Sequence, residues 1–113
     1  MAEARINFVE LPCRDVASMQ AFYGDAFGWG FTAFGPTYAC TTGGDVDLGF
    51  QADPKEMTEA PLVAIEVPDI EAALAAVEGA GGIVTRPIFA FPGGRRFQFR
   101  DPAGNEMAAH QPD

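Results

Sequence analysis

Two stretches of the chain alternate apolar and polar residues with a period of two. They are NFVELPC at residues 7–13 and LVAIEV at residues 62–67. Alternation of this kind predicts β-strands with one buried face. Each is followed by an aspartate, Asp15 or Asp69, whose carboxylate can accept from the free amides of a helix's first turn. Behind Asp15, the residues Val16, Met19, Phe22, Tyr23, Ala26 and Phe27 recur at spacings of three and four and predict a helix with one core-facing apolar face. Behind Asp69, the same pattern is carried by Ile70, Ala73, Leu74 and Val77, and Gly79, Gly81 and Gly82 supply the stop.

Three short strand-like runs follow each helix. They lie near WGFTAF, TYACTT and VDLGFQ in the first half and near IVTRPIFA, RRFQFRD and NEMAAHQ in the second. FPGG and DPAGN separate the later runs as turns. FPGG stands between two strands, so it reads as a hairpin turn and not as an anion cradle. The polar segment ADPKEMTEA joins the halves. The chain therefore reads βαβββ twice, an α+β class within one domain over residues 1–113. Module one covers about 5–52, the linker about 53–60 and module two about 61–111.

With 113 residues, 48% of them hydrophobic and 20% charged, the chain can bury a core without staples. No apolar run approaches the roughly 20 residues of a membrane span, and the start MAEARINF has no signal-peptide pattern. A cytoplasmic protein with no membrane association is expected. The formal charge of −9 repels phosphate backbones, which argues against nucleic-acid binding. Cys13 and Cys40 make no metal-binding spacing, and Cys13 continues the apolar alternation as a buried reduced thiol.

Three phrases, FVELPCRDVASMQAFYGDAFGW, PLVAIEVPDIEAALAAVEGAGG and FRDPAGNEMAAHQ, occur in order and together resemble the glyoxalase, bleomycin-resistance and extradiol-dioxygenase superfamily, the vicinal oxygen chelate proteins. The resemblance implies tandem modules whose strands form a curled mixed sheet around a concave cleft, with the helices outside, and it implies a homodimer. In catalytic branches it also implies a divalent metal held by four His, Glu or Gln side chains. Residues at the matching positions here are Phe8 and Leu62, seven before each helix-starting aspartate, and Ala108, seven after Asp101 of the last turn. The fourth falls at Leu48, or at Asp47 or Gly49 if the strand is shifted. Phenyl, isobutyl and methyl groups cannot ligate a metal, so neither metal nor other cofactor is expected.

Parity along the strands places Val9, Leu11 and Cys13, and likewise Val63, Ile65 and Val67, toward the helices. Phe8, Glu10, Leu62, Ala64 and Glu66 then face the cleft, with Ala108. Gln98, Asn105 and Arg96 could add polar contacts, but Phe97 and Phe99 could pack on either side. Glu10 and Glu66 are open to two readings, as a solvated face or as general bases or counter-ions in a sheltered cleft. Glu106 and His110 share this parity but lie about 13 Å apart along one strand, and His110, near the C-terminus, reads as a solvated histidine.

These residues predict a metal-free cleft that binds or sequesters a small organic molecule, ligand-lined by Phe8, Glu10, Leu62, Ala64, Glu66, Gln98 and Ala108, with planar cationic or neutral ligands favoured over anions. No catalytic residue is assigned. A lyase or isomerase of the glyoxalase type is the enzymatic alternative, and a non-catalytic structural or interaction module is the third.

Overall fold

The computed structural model describes residues 3–113, and its elements follow the predicted order. Strand β1 (Arg5–Pro12) leads through Asp15 into helix α1 (Val16–Phe27), followed by β2 (Thr32–Ala33), β3 (Tyr38–Cys40) and β4 (Asp47–Gln51). The second series is β5 (Leu62–Glu66), helix α2 (Ile70–Gly79), β6 (Ile83–Phe91), β7 (Gly94–Arg100) and β8 (Glu106–Pro112). No helix among the described residues is long and apolar enough to cross a membrane.

Both aspartates cap as expected. In extended backbone, Asp15 accepts from the Ala17 amide at 3.1 Å and Asp69 from the Ala72 amide at 3.1 Å. Helix α1 ends at Gly28, whose φ of 73° is the left-handed conformation that glycine adopts without a Cβ clash. Helix α2 has a second restraint at its start, because Gln111 on β8 accepts from the Ile70 amide at 2.9 Å. The FPGG segment is a tight hairpin in which Phe91 pairs with Gly94, and Gly93 supplies the positive φ of 109° at the third position of the turn.

The chain divides into two compact units. One comprises Phe8–Leu62, and the other comprises Val63–Asp113 together with residues 3–7. In the first, the strands run β2-β3-β4-β1, with β1 parallel to β4 and the other pairs antiparallel. Its core gathers Val16, Ala39 and Phe50, with Leu11, Cys13, Met19, Tyr23 and Phe31 packed around them. In the second, the order is β5-β8-β7-β6, with β5 parallel to β8 and the rest antiparallel. Val67, Ile70, Ala73, Phe97 and Ala109 form its core. Phe50, Phe97 and Ile70 are completely buried, and each such side chain contributes about 1.5–3 kcal/mol by leaving water.

One expectation about α1 is corrected. Val16, Met19 and Tyr23 pack inward, but Phe22 and Phe27 are each 61% exposed. A residue adjacent to Tyr23 is rotated by about 100° around the helix, so Phe22 leaves the buried stripe. Phe27, on the last turn, instead stacks on Trp29 with ring centroids 5.2 Å apart. Both cysteines are free and half-buried, and burial raises the thiol pKa of each.

Candidate functional site

In the first unit, Leu11 and Cys13 pack on the α1 core, which turns Phe8, Glu10 and Pro12 to the opposite face. The parallel register sets Phe8 against Asp47 and Glu10 against Gly49. The Phe8 ring fills the space a side chain at 49 would need: a Cβ there would sit 2.6 Å from Phe8 Cζ and 2.8 Å from the Tyr38 hydroxyl. That hydroxyl donates to Glu10 Oε1 at 2.9 Å, and Glu10 is only 4% exposed. Asp47 serves the β3–β4 turn, where one carboxylate oxygen accepts from Thr41 Oγ1 at 2.9 Å and from the Gly44 amide at 3.2 Å.

In the second unit, Phe97 and Phe99 both pack toward the α2 core, which settles the facing that the sequence left open. Arg96 and Gln98 therefore project from the opposite face, with Ala64, Glu66, Ala108 and His110. Strand pairing arranges them in rows: Glu66 beside His110 beside Arg96, and Ala64 beside Ala108 beside Gln98. Ala64, Ala108 and Gln98 are buried, as is Leu62 in the first unit. Gln98 Nε2 donates at 3.0 Å to Glu106 Oε2, which also accepts from Thr85 Oγ1 at 2.8 Å. Gln98 Oε1 is buried with no hydrogen-bond partner among the described residues. Asn105 faces none of this and instead ties the last turn, donating from its amide nitrogens to the Asp101 carboxylate.

His110 departs from the sequence reading. Far from fraying, β8 is flanked on both sides, by β5 and β7, and the His110 carbonyl accepts from the Val67 amide at 2.9 Å. Its half-buried ring places Nε2 2.7 Å from Asn7 Oδ1, and Asn7 Nδ2 donates to Glu66 Oε1 at 3.2 Å. Arg5 Nε lies 3.5 Å from Glu66 Oε2. Burial lowers the His110 pKa below the ordinary 6.5; Glu66 opposes this, and Arg96 and Arg5 add to it.

Asn7 escaped the sequence reading because it shares the β1 parity of Val9 and Leu11. In the second unit, however, it is Ala4 that packs against the α2 core, so Arg5 and Asn7 point the other way. Glu106 and His110, both on β8, enter separate networks.

Two hollows border the second unit. One of about 240 Å³ is lined by apolar side chains, among them Ile65, Val77, Phe99 and Ala109. The other, of about 440 Å³, lies beside Glu66 and is also bordered by Glu3, Pro68 and Gln111.

Residues 5–108 match the model of the Glyoxalase/Bleomycin resistance protein/Dioxygenase superfamily, and the chain belongs to that family. Among solved structures, it is similar to a glyoxalase/bleomycin resistance protein/dioxygenase superfamily member from Vibrio splendidus, with 19% identity, a TM-score of 0.71, and 96% of this chain and 98% of that one covered. A methylmalonyl-CoA epimerase from Mycobacterium tuberculosis aligns with 14% identity, a TM-score of 0.72, and 96% and 87% covered. The Mn(II)-bound glyoxalase from Novosphingobium aromaticivorans aligns at 21% identity and a TM-score of 0.70, over 94% of this chain and 38% of that one. At these identities the likeness establishes the fold alone. No curated protein matches the chain.

The metal that catalytic branches of this family carry does not fit the residues present. Ala108 pairs with Ala64, and Gly49 pairs with Glu10, at the same distance from each module's aspartate. The equivalent registers select Gly49 as the fourth position, the shifted alternative. The set is then Phe8, Gly49, Leu62 and Ala108, and not one offers a donor atom. No group of three or more His, Cys, Asp or Glu among the described residues is placed to hold an ion instead.

Proposed function

We propose that this protein binds or sequesters a small organic molecule without a metal. The observation that carries the reading is the Phe8 ring standing over Gly49: the space that a ligating side chain needs is filled by an aromatic face. The hollow beside Glu66 is an open groove bordered by two carboxylates, Glu3 and Glu66, the second of them shared with Arg5, and this acidic border supports planar cationic or neutral ligands over anions. The family membership supports a binding or chemical role for a small molecule, and the solved neighbours include a glyoxalase and an epimerase. A second reading, a module with no ligand, draws on the burial of Leu62, Ala64, Gln98 and Ala108 by the chain itself.

The test is native mass spectrometry of the purified protein for a co-purifying molecule, followed by calorimetric titration with matched cationic, neutral and anionic aromatics. Binding of the cation, weakened in Glu66→Gln with little change in thermal stability, supports the proposal. An empty protein that binds none of the probes supports the second reading. Turnover of the co-purified molecule would make the protein an enzyme of the glyoxalase type.

The working form we propose is a two-fold homodimer in the cytoplasm. Phe22, Phe27 and Trp29, linked through Tyr23, are exposed aromatics on the first unit, as is Phe34, and closed pairing is the commonest way to cover exposed apolar surface. Sedimentation at tens of micromolar, by order of magnitude, should give a dimer; a monomer there refutes it.

A further inference from the structure

A carboxylate can only accept hydrogen bonds, so Asn7 must present its NH₂ group to Glu66 and its carbonyl oxygen to His110. Only an N–H can then complete the 2.7 Å contact, which places the imidazole hydrogen on Nε2. In the neutral ring the lone pair is left on Nδ1. No hydrogen bond to that atom is found among the described residues, and His110 as a residue is intermediate between buried and exposed. Three strands thus converge to fix which nitrogen accepts: β1 through Asn7, β5 through Glu66 and β8 through His110.

The charged groups around the ring are Glu66 on β5, Arg96 on β7 and Arg5 on β1. Arg96 holds its guanidinium 5.2 Å from the centre of the Phe89 ring on β6.

We propose that His110 Nδ1 is a recognition atom for the ligand, accepting a hydrogen bond from an O–H donor on an aromatic molecule, with Asn7 and Glu66 as positioning residues that hold the tautomer. This rests on the small-molecule reading above and narrows it to donor-bearing ligands. A ligand whose hydroxyl is methylated loses the contact, and one presenting only acceptors meets a lone pair at Nδ1.

The chain contains a single histidine, so ¹⁵N-histidine labelling gives signals from one ring alone. Two-bond proton–nitrogen correlation at pH 8 should show the Nε2–H tautomer in the free protein. Phenol should then shift Nδ1 with little change at Nε2, and anisole, which has no donor, should shift neither. In Glu66→Gln, whose amide can donate or accept, Asn7 is free to turn over, the ring becomes a tautomer mixture and phenol affinity falls roughly three- to tenfold, the worth of one hydrogen bond. Asn7→Leu should give the same mixture.

An Nδ1–H tautomer in the free protein, or equal responses to phenol and anisole, including no response to either, overturns the proposal. An unmixed tautomer in both variants overturns the positioning role. If a cationic aromatic binds by calorimetry while phenol leaves Nδ1 unmoved, this inference fails and the small-molecule reading stands.

Discussion

Phe8 lies directly over Gly49, with ring atom Cζ 2.6 Å from where a Cβ at position 49 would stand. The two residues are complementary, one supplying the volume that the other gives up. A methyl group at 49 must displace the ring or the Tyr38 hydroxyl, 2.8 Å away on the other side. Gly49→Ala should therefore cost about 1–3 kcal/mol, the range for overpacking a filled interior. In a Phe8→Ala background the same change should cost clearly less. A double-mutant cycle by urea denaturation checks this, and additive effects would show that the ring does not fill the space.

The same filling bears on metal binding. After loading with Ni, Zn, Fe or Mn and dialysis, elemental analysis should find well under one ion per chain, because Phe8, Gly49, Leu62 and Ala108 have no donor atoms. A stoichiometric ion lost in Glu10→Gln would place ligands elsewhere and refute the register argument.

Tyr38 supports a carboxylate that is almost wholly withdrawn from water. Removing the hydroxyl in Tyr38→Phe takes one hydrogen bond from the buried Glu10 side chain, a loss of about 1–3 kcal/mol. Chemical denaturation of the variant measures the loss. A variant as stable as the parent would show that the bond contributes nothing.

His110 makes stability depend on pH near neutrality. Its folded pKa lies below the ordinary 6.5, so between those two values the unfolded chain binds more protons than the folded one. The contribution is fully present above pH 6.5, declines as the pH falls through that value, and levels off below the folded pKa. Urea midpoints from pH 8 downward should trace this step, and His110→Gln should remove it. A parent curve that matches the variant's throughout would contradict the burial of the neutral ring.

Local signals were enough to read the repeat. The alternation in residues 7–13 and 62–67, Asp15 and Asp69 as caps, and the glycines that end each helix are dictated by backbone geometry, and neighbours a few residues away suffice to express them. The missing metal donors at Phe8, Leu62 and Ala108 were equally legible, because side-chain chemistry does not depend on the fold. Where Phe97 and Phe99 pack could not be read, since a sheet has two faces and only the partner helix α2 chooses between them.

Tertiary structure alone decided the rest. Gly49 is the counterpart of Ala108 through the register of β1 against β4, a long-range pairing that no local pattern encodes. His110 looked frayed because sequence shows distance from the terminus and not the two strands that enclose β8. Asn7 carries no signal at all. Its role exists because residues 3–7 join the unit formed by the chain's second half, bringing an amide 103 positions from His110 into hydrogen-bond range of its ring.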